Sequence, residues 1–281
     1  MPLNEAHLSA GTSIPPVSSI QVPSVDVLGV RFHSLTMDEA LDLLEKRIEL
    51  RKPAQITFAN AQTVAMCWQD RTLRAVINRS DYTFPDGMSI VWGGRWLKKL
   101  VKCRLPGPDV TSELCRRAAA RGYGVFLLGT SDENLAALKG ALERKSPGLR
   151  IVGTYSPPMS ESFSPEQSAA MVNAVNASRA DVLLVGLSCP KQERWIGDNL
   201  SRLTSPVNMG VGAAFDFLSG RIPRAPEWFQ DHGFEWVYRL WCEPRRLWKR
   251  YLWGNLVFLT LLSLRRLRLM IGLASENKEP S

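Results

Sequence analysis

Histidine is scarce in this chain, with three in 281 residues, and the five cysteines, Cys67, Cys103, Cys115, Cys189 and Cys242, are widely separated. Their number is odd and no two form a C-x-x-C pair, which argues against both a disulfide framework and a structural zinc site. A reducing cytoplasm suits such a set. No G-x-x-x-x-G-K-[ST] stretch occurs, so a P-loop is excluded. Long apolar runs are missing too. The longest, Tyr251 to Leu264, falls short of the roughly 20 residues a membrane span needs. The first 25 residues hold Ser, Pro and Gly but no basic stretch followed by an apolar one, and they read as a flexible arm over 1–24 rather than a secretion signal.

What is present describes a globular protein, 45% hydrophobic and 22% charged, with a net charge of +8. That charge is concentrated. Residues 221–268 carry ten Arg or Lys against Glu227, Asp231, Glu235 and Glu243, a balance of +6. A local excess of this kind points to a partner site rather than a uniformly basic surface.

From Val25 the chain becomes regular. A β-rich run, Val27 to Phe32, leads into Thr36-Met37-Asp38-Glu39, a capping-box signature that opens a helix through Leu50. Further strands are expected at Gln55–Ala59, Asp81–Phe84, Gly124–Leu128, Ile151–Tyr155, Asp181–Leu187 and Val207–Val211. Helices are expected between them, including one around Ala61 to Ile77 and one from Gly87 through Leu97. Continuous rather than alternating apolar strands separated by helices predict a Rossmann-like α/β fold, a mostly parallel sheet with helices on both faces. After Gly220 the character changes: Pro223, Pro226 and Pro244 punctuate a basic, Trp-rich stretch that predicts two helices, one from Pro226 to about Trp241 and one opening at Pro244. The expected organisation is thus an arm at 1–24, a core at 25–220 and a helical appendage at 221–281.

In open α/β sheets ligands bind at the carboxyl ends of the strands. Those ends carry Asn60, Asp86, Gly129-Thr130-Ser131-Asp132, Pro190-Lys191-Gln192-Glu193 and Gly210-Val211-Gly212. Asp86, in Phe84-Pro85-Asp86-Gly87, could serve as a general base or could cap the following helix. Gly129 to Glu133 could receive a phosphate on free helix N–H groups, or be a helix start with acidic residues in their ordinary place. Lys191 and Gln192 could bond a ligand or face solvent. Arg104, before the rigid Leu105-Pro106-Gly107-Pro108-Asp109 turn, reads alone as a surface residue. Gly210-Val211-Gly212 lacks the third small residue of a dinucleotide fingerprint, which disfavours a nicotinamide cofactor.

The stretch 235–254 holds four of the nine tryptophans and five basic residues. Such a mixture can stack on single-stranded nucleic acid, lie on an anionic bilayer, or dock on the core with its arginines extended to water. The nearly uninterrupted apolar stretch after it, flanked by basic pairs, favours the membrane surface over nucleic acid. Burial of this face between subunits of a homo-oligomer also stays open.

In order along the chain, these pieces resemble the WecG/TagA/CpsF glycosyltransferases, glycosyltransferase family 26, over roughly residues 25–255. The likeness rests on Asp86-Gly87, Pro190-Lys191-Gln192-Glu193, Gly210 to Asp216, Arg224-Ala225-Pro226-Glu227-Trp228, Glu235 to Leu240 and Glu243-Pro244-Arg245-Arg246-Leu247. It implies transfer of a hexose unit from a UDP-sugar to a polyprenyl-diphosphate-linked sugar at the inner face of the cell membrane, with inversion and with no metal or cofactor. By the same resemblance Asp86 is the base, and Asn60, Arg104 and Gln192 line the pocket. Arg239 and Arg246, with Lys249 or Arg250, serve from the appendage. Thr57 stands where the family often shows T-x-N, but this chain reads Thr57-Phe58-Ala59-Asn60, which puts a role for Thr57 in doubt. The Phe58-Ala59-Asn60-Ala61 form is closer to the exopolysaccharide branch, which favours UDP-glucose over UDP-N-acetylmannosamine or its uronic acid. The chain also lacks an Asp-x-Asp pair, so the resemblance assigns stabilisation of the leaving diphosphate to arginines and backbone donors.

Overall fold

The computed structural model describes residues 22–272. The chain opens with β1 (Ser24–Val27) and β2 (Val30–His33), an antiparallel pair, and α1 (Met37–Leu50). It continues through β3 (Ala54–Ala59), α2 (Ala61–Gln69), α3 (Arg71–Arg79), β4 (Tyr82–Pro85), α4 (Met88–Trp96), α5 (Gly107–Arg121), β5 (Gly124–Gly129), α6 (Asp132–Lys145) and β6 (Arg150–Tyr155). Then come α7 (Pro165–Ser178), β7 (Val182–Gly186), α8 (Lys191–Asn199), β8 (Val207–Gly210) and α9 (Ala214–Leu218). Three last helices follow: α10 (Glu227–Asp231), α11 (Glu235–Cys242) and α12 (Pro244–Met270).

Strands β3 to β8 form one sheet in the order β4-β3-β8-β7-β5-β6, every pair parallel. Four of them, β3, β4, β5 and β8, are buried at every position, as a sheet covered on both faces requires. β6, at one edge, is partly exposed throughout. Leu41, Leu44, Leu114, Leu138 and Phe215 fill one side of the sheet, and Met171, Val175, Trp195 and Ile196 belong to a separate packed group. The expected α/β architecture is therefore observed, and so is the capping box. Thr36 Oγ1 accepts the Glu39 N–H at 3.3 Å, and Glu39 returns a carboxylate oxygen to the Thr36 N–H at 2.8 Å.

Three expectations are corrected. The run Val27 to Phe32 is not one strand but a hairpin. Leu28 and Gly29 both take left-handed φ, 57° and 86°, which is the geometry of a tight antiparallel turn; apolar residues on both sides hide the lone glycine signal. The helix expected from Ala61 to Ile77 is two helices, because Asp70 turns extended and its carboxylate caps α3 by accepting the Leu73 N–H at 2.9 Å. The helix expected from Pro226 to about Trp241 likewise breaks at Gly233, with φ 72°, where an added Cβ would lie 2.6 Å from the Trp92 ring. A side chain cannot fit there, so glycine allows the α10–α11 turn to rest on α4.

The C-terminal helices are tied to the rest by packing. Phe258 and Leu262 of α12 are buried in one apolar cluster with Phe32, Val64, Leu73, Ile77 and Ile90. Gly93 of α4 lets Phe258 approach, its missing Cβ position lying 3.0 Å from the ring. Among the described residues no helix is long and apolar enough to cross a membrane.

Candidate functional site

Parallel register assembles the first half of the site. Ala59 and Pro85 are partners in the β3–β4 ladder, so the residues that leave those strands, Asn60 and Asp86, emerge side by side. The Asp86 N–H donates to the Ala59 carbonyl at 2.9 Å and fixes the exit. Asn60 then caps α2: its Oδ1 accepts the N–H groups of Gln62 and Thr63 at 3.1 and 3.2 Å. With the oxygen so engaged the amide has one orientation left, and its Nδ2 donates to Asp86 Oδ2 at 3.3 Å. The other Asp86 oxygen accepts the N–H of Gly107, the first residue of α5, also at 3.3 Å. The Leu105 N–H donates to the Pro85 carbonyl at 2.7 Å, which draws the Arg104-to-Gly107 segment along the end of β4.

Asp86 does not cap the helix that follows it. The N-cap of α4 is Gly87, which has no side chain to offer, and both Asp86 oxygens point to other partners. The carboxylate thus faces the starts of α2 and α5, held by two long neutral donors and by no ion pair among the described residues. Burial pushes its pKa up, and the charge of Asp109 pushes the same way. The Gly107 N–H, the Asn60 amide and the Arg239 charge oppose that shift without cancelling it. A half-buried carboxylate with raised proton affinity is equipped to accept a proton.

The second half of the site comes from the C-terminal helices. α11 presents Glu235 and Arg239. One Glu235 oxygen lies 3.9 Å from Arg104 Nη1, and the other lies 3.9 Å from Arg224 Nε. Arg224 Nη1 in turn bonds the Asp109 carboxylate in the first turn of α5. The Arg239 guanidinium rests over the Phe217 ring at 5.1 Å from its centroid. Burial raises the Glu235 pKa, and the charge of Asp86 adds to the shift against the pull of Arg224 and Arg104. Arg224 Nε and Nη2, and Arg239 Nε, are buried with no hydrogen-bond acceptor among the described residues. Guanidinium groups without acceptors near a carboxylate of raised proton affinity have the chemistry to hold an anionic group.

Gln192 stands at the start of α8, 4% exposed, with its Nε2 donating to Glu193 Oε1 at 2.8 Å. Its carboxamide lies against β8, where a Cβ on Gly210 would come within 3.1 Å of it, so the Gly210-Val211-Gly212 pattern makes room for this side chain. Its Oε1 is buried and accepts no hydrogen bond among the described residues. The Gly129–Asp132 turn is an ordinary capped helix start, with Ser131 Oγ accepting the Asn134 N–H at 3.3 Å. The Asn134 amide ties this turn to Asp216 at 3.1 Å. Lys191 donates to the Ser160 carbonyl at 2.6 Å.

Of the residues expected to form the site, the structure brings Asn60, Asp86, Arg104 and Arg239 together and seats Gln192 at the end of β8. It does not bring Thr57, which is fully buried in the middle of β3 with its hydroxyl 2.9 Å from that of Ser80. Lys249 is exposed, with its ammonium 5.5 Å from the Trp248 ring centroid, and makes no ion pair among the described residues. Arg246 and Arg250 lie in α12, with side chains outside the described part of the chain. Three further members, Asp109, Arg224 and Glu235, were not expected. Asp109 had only the signal of an acidic first turn after Pro-Gly-Pro, and its contact with Arg224 spans 115 positions of sequence. A comparison with models of known protein families matches residues 25–271 to the family described as Glycosyl transferase WecG/TagA/CpsF. The chain belongs to that family of glycosyltransferases of cell-envelope polysaccharide synthesis.

Proposed function

We propose that the protein is an inverting hexosyltransferase that moves a sugar from a UDP-sugar, UDP-glucose before UDP-N-acetylmannosamine or its uronic acid, to a polyprenyl-diphosphate-linked sugar. The observation that carries the reading is the setting of Asp86, a carboxylate with raised proton affinity at a strand end, without an ion pair among the described residues and within the charge range of Arg224 and Arg239. In this reading Asp86 takes the proton from the acceptor hydroxyl. The hydroxyl oxygen bonds to the anomeric carbon as the bond from that carbon to the β-phosphate oxygen breaks, and UDP leaves with the electron pair. Arg239, with Arg246 near the start of α12, stabilises the charge on a diphosphate, so the chemistry is assigned to the chain's own residues without a metal.

The acceptor carries a lipid, and the surface beside the site suits one. Trp228, Trp236, Trp241 and Trp248 are exposed, Trp241 at 84%, and Leu252, Leu256 and Leu259 form an outward stripe on α12. Exposed aromatic and apolar groups mixed with arginines favour the headgroup region of an anionic bilayer. We therefore place the enzyme peripherally on the inner face of the membrane, with residues 221–281 as the attaching appendage. The direct test is UDP release from a panel of UDP-sugars with a polyprenyl-diphosphate-sugar acceptor and EDTA present. Release from one donor, dependent on the acceptor and indifferent to EDTA, is expected. Absence of release from every donor, or its loss with EDTA, overturns this reading.

A further inference from the structure

Asp86 lies within charge range of Arg239 and Arg224 and forms an ion pair with neither among the described residues. Arg239 on α11 is seated over Phe217, and Arg224, before α10, is held by Asp109 and approached by Glu235. Arg104, before α5, is approached by the other Glu235 oxygen. The charged groups that act on Asp86 are therefore Asp109 from α5 and Arg224, Glu235 and Arg239 from the appendage, with Arg104 beyond Glu235 and the neutral Asn60 from α2. An unclaimed guanidinium beside a half-buried carboxylate would close into a bidentate pair, because such pairs are the strongest hydrogen-bonded contacts available to either group. A carboxylate paired in that way is a poor base, its pKa lowered by about 1–3 units.

We propose that Glu235 and Asp109 are positioning residues that hold Arg224 away from Asp86. The holding leaves Asp86 free to take a proton and leaves the buried Nη2 of Arg224, which has no hydrogen-bond acceptor among the described residues, for an incoming anionic group of the substrate. Glu235 rides on α11 and Asp109 on α5, so the division of charge forms only when the appendage is docked. The inference rests on Asp86 being the base of the proposed reaction, and its test is chosen to be read without that reaction.

The full-length protein is labelled with 13C at its aspartate carboxyls, the Asp86 signal is assigned with Asp86→Asn, and its titration midpoint is measured in wild type and in Glu235→Gln. Two effects act in one direction in the variant, since a like charge is removed and an arginine is released. The Asp86 midpoint is expected to fall by about one unit or more. In turnover the acid limb of kcat/KM moves to lower pH and kcat falls, while Glu235→Asp restores both. A midpoint that stays in place or rises overturns the proposal, and so does a drop in kcat with an unmoved acid limb, which is what a merely structural role produces. If Glu235→Gln does not fold, Asp109→Asn reads the same holding from the other end of Arg224, with the same expected fall. Absence of UDP release in every protein, with the midpoint shift present, would reject the glycosyl-transfer reading and keep the charge division.

Discussion

At the residue scale the site depends on one side chain doing two tasks. Asn60 caps α2 with its oxygen and, because of that, must offer its NH2 to Asp86. Asn60→Ala should cost about 1 kcal/mol of stability from the lost cap, visible in urea unfolding. It should also raise the Asp86 midpoint further, because a donor to the charged form is gone. Asp86→Asn should cost turnover about 10²–10⁴-fold with the fold intact, the usual worth of a general base; near-normal UDP release from a folded Asp86→Asn protein would remove Asp86 from that role. The pH dependence follows in sign. In the proposed mechanism the ionised carboxylate is the active form, and its pKa is raised, so kcat/KM should increase with pH through a midpoint above the ordinary aspartate value of about 3.9.

At the element scale, two contacts hold the hairpin and the last helix to the sheet. His33 of β2 is buried and neutral: its Nδ1 accepts the Thr83 N–H of β4 at 2.9 Å, and burial, with the Arg31 charge beside it, lowers its pKa from 6.5 to about 4. The unfolded chain therefore binds a proton here that the folded chain refuses. The stability this group contributes is complete above pH 6.5 and is lost as pH falls toward about 4. Unfolding by urea across that window should show a smaller acid loss in His33→Gln than in wild type, and equal losses would remove His33 as the cause. Phe258, 3% exposed between α12 and Gly93, anchors the other contact. Phe258→Ala should destabilise by about 3–5 kcal/mol if the helices unfold with the core, and an early separate transition in Trp fluorescence would show that they do not.

At the scale of the whole molecule the same appendage completes the polar site and carries the apolar surface. Arg239 and Glu235 look inward, and Trp236 and Trp241 on the same short helix are exposed. Flotation with anionic liposomes should recover the wild-type protein at low salt and less of it at high salt. Replacing Trp236, Trp241 and Trp248 together by Ser should abolish the binding while UDP release from a short, soluble acceptor persists. Retained flotation in that variant would move the membrane contact elsewhere.

Much of this was legible in the sequence. The parallel sheet followed from continuous apolar strands, and Asp86 and Asn60 were singled out because strand ends are where such sheets bind; the structure sets the two side by side. The breaks at Leu28-Gly29, Asp70 and Gly233 were missed, since each lies inside a run whose periodicity continues across it, and only the packing of Trp92 shows why Gly233 must be glycine. Thr57, whose role the sequence already put in doubt, lies buried two positions inside the end of β3.

The sequence by itself determined the class of fold, the order of its elements, the strand ends that bear polar groups, and the concentration of charge and tryptophan in the last sixty residues. These depend on neighbours a few positions apart, through helix period, strand burial and capping. The tertiary structure alone decided that Glu235, Arg224 and Asp109 meet beside Asp86. Ion pairs between residues more than a hundred positions apart are set by how the α10–α11 turn rests on α4, and no local pattern encodes that seating.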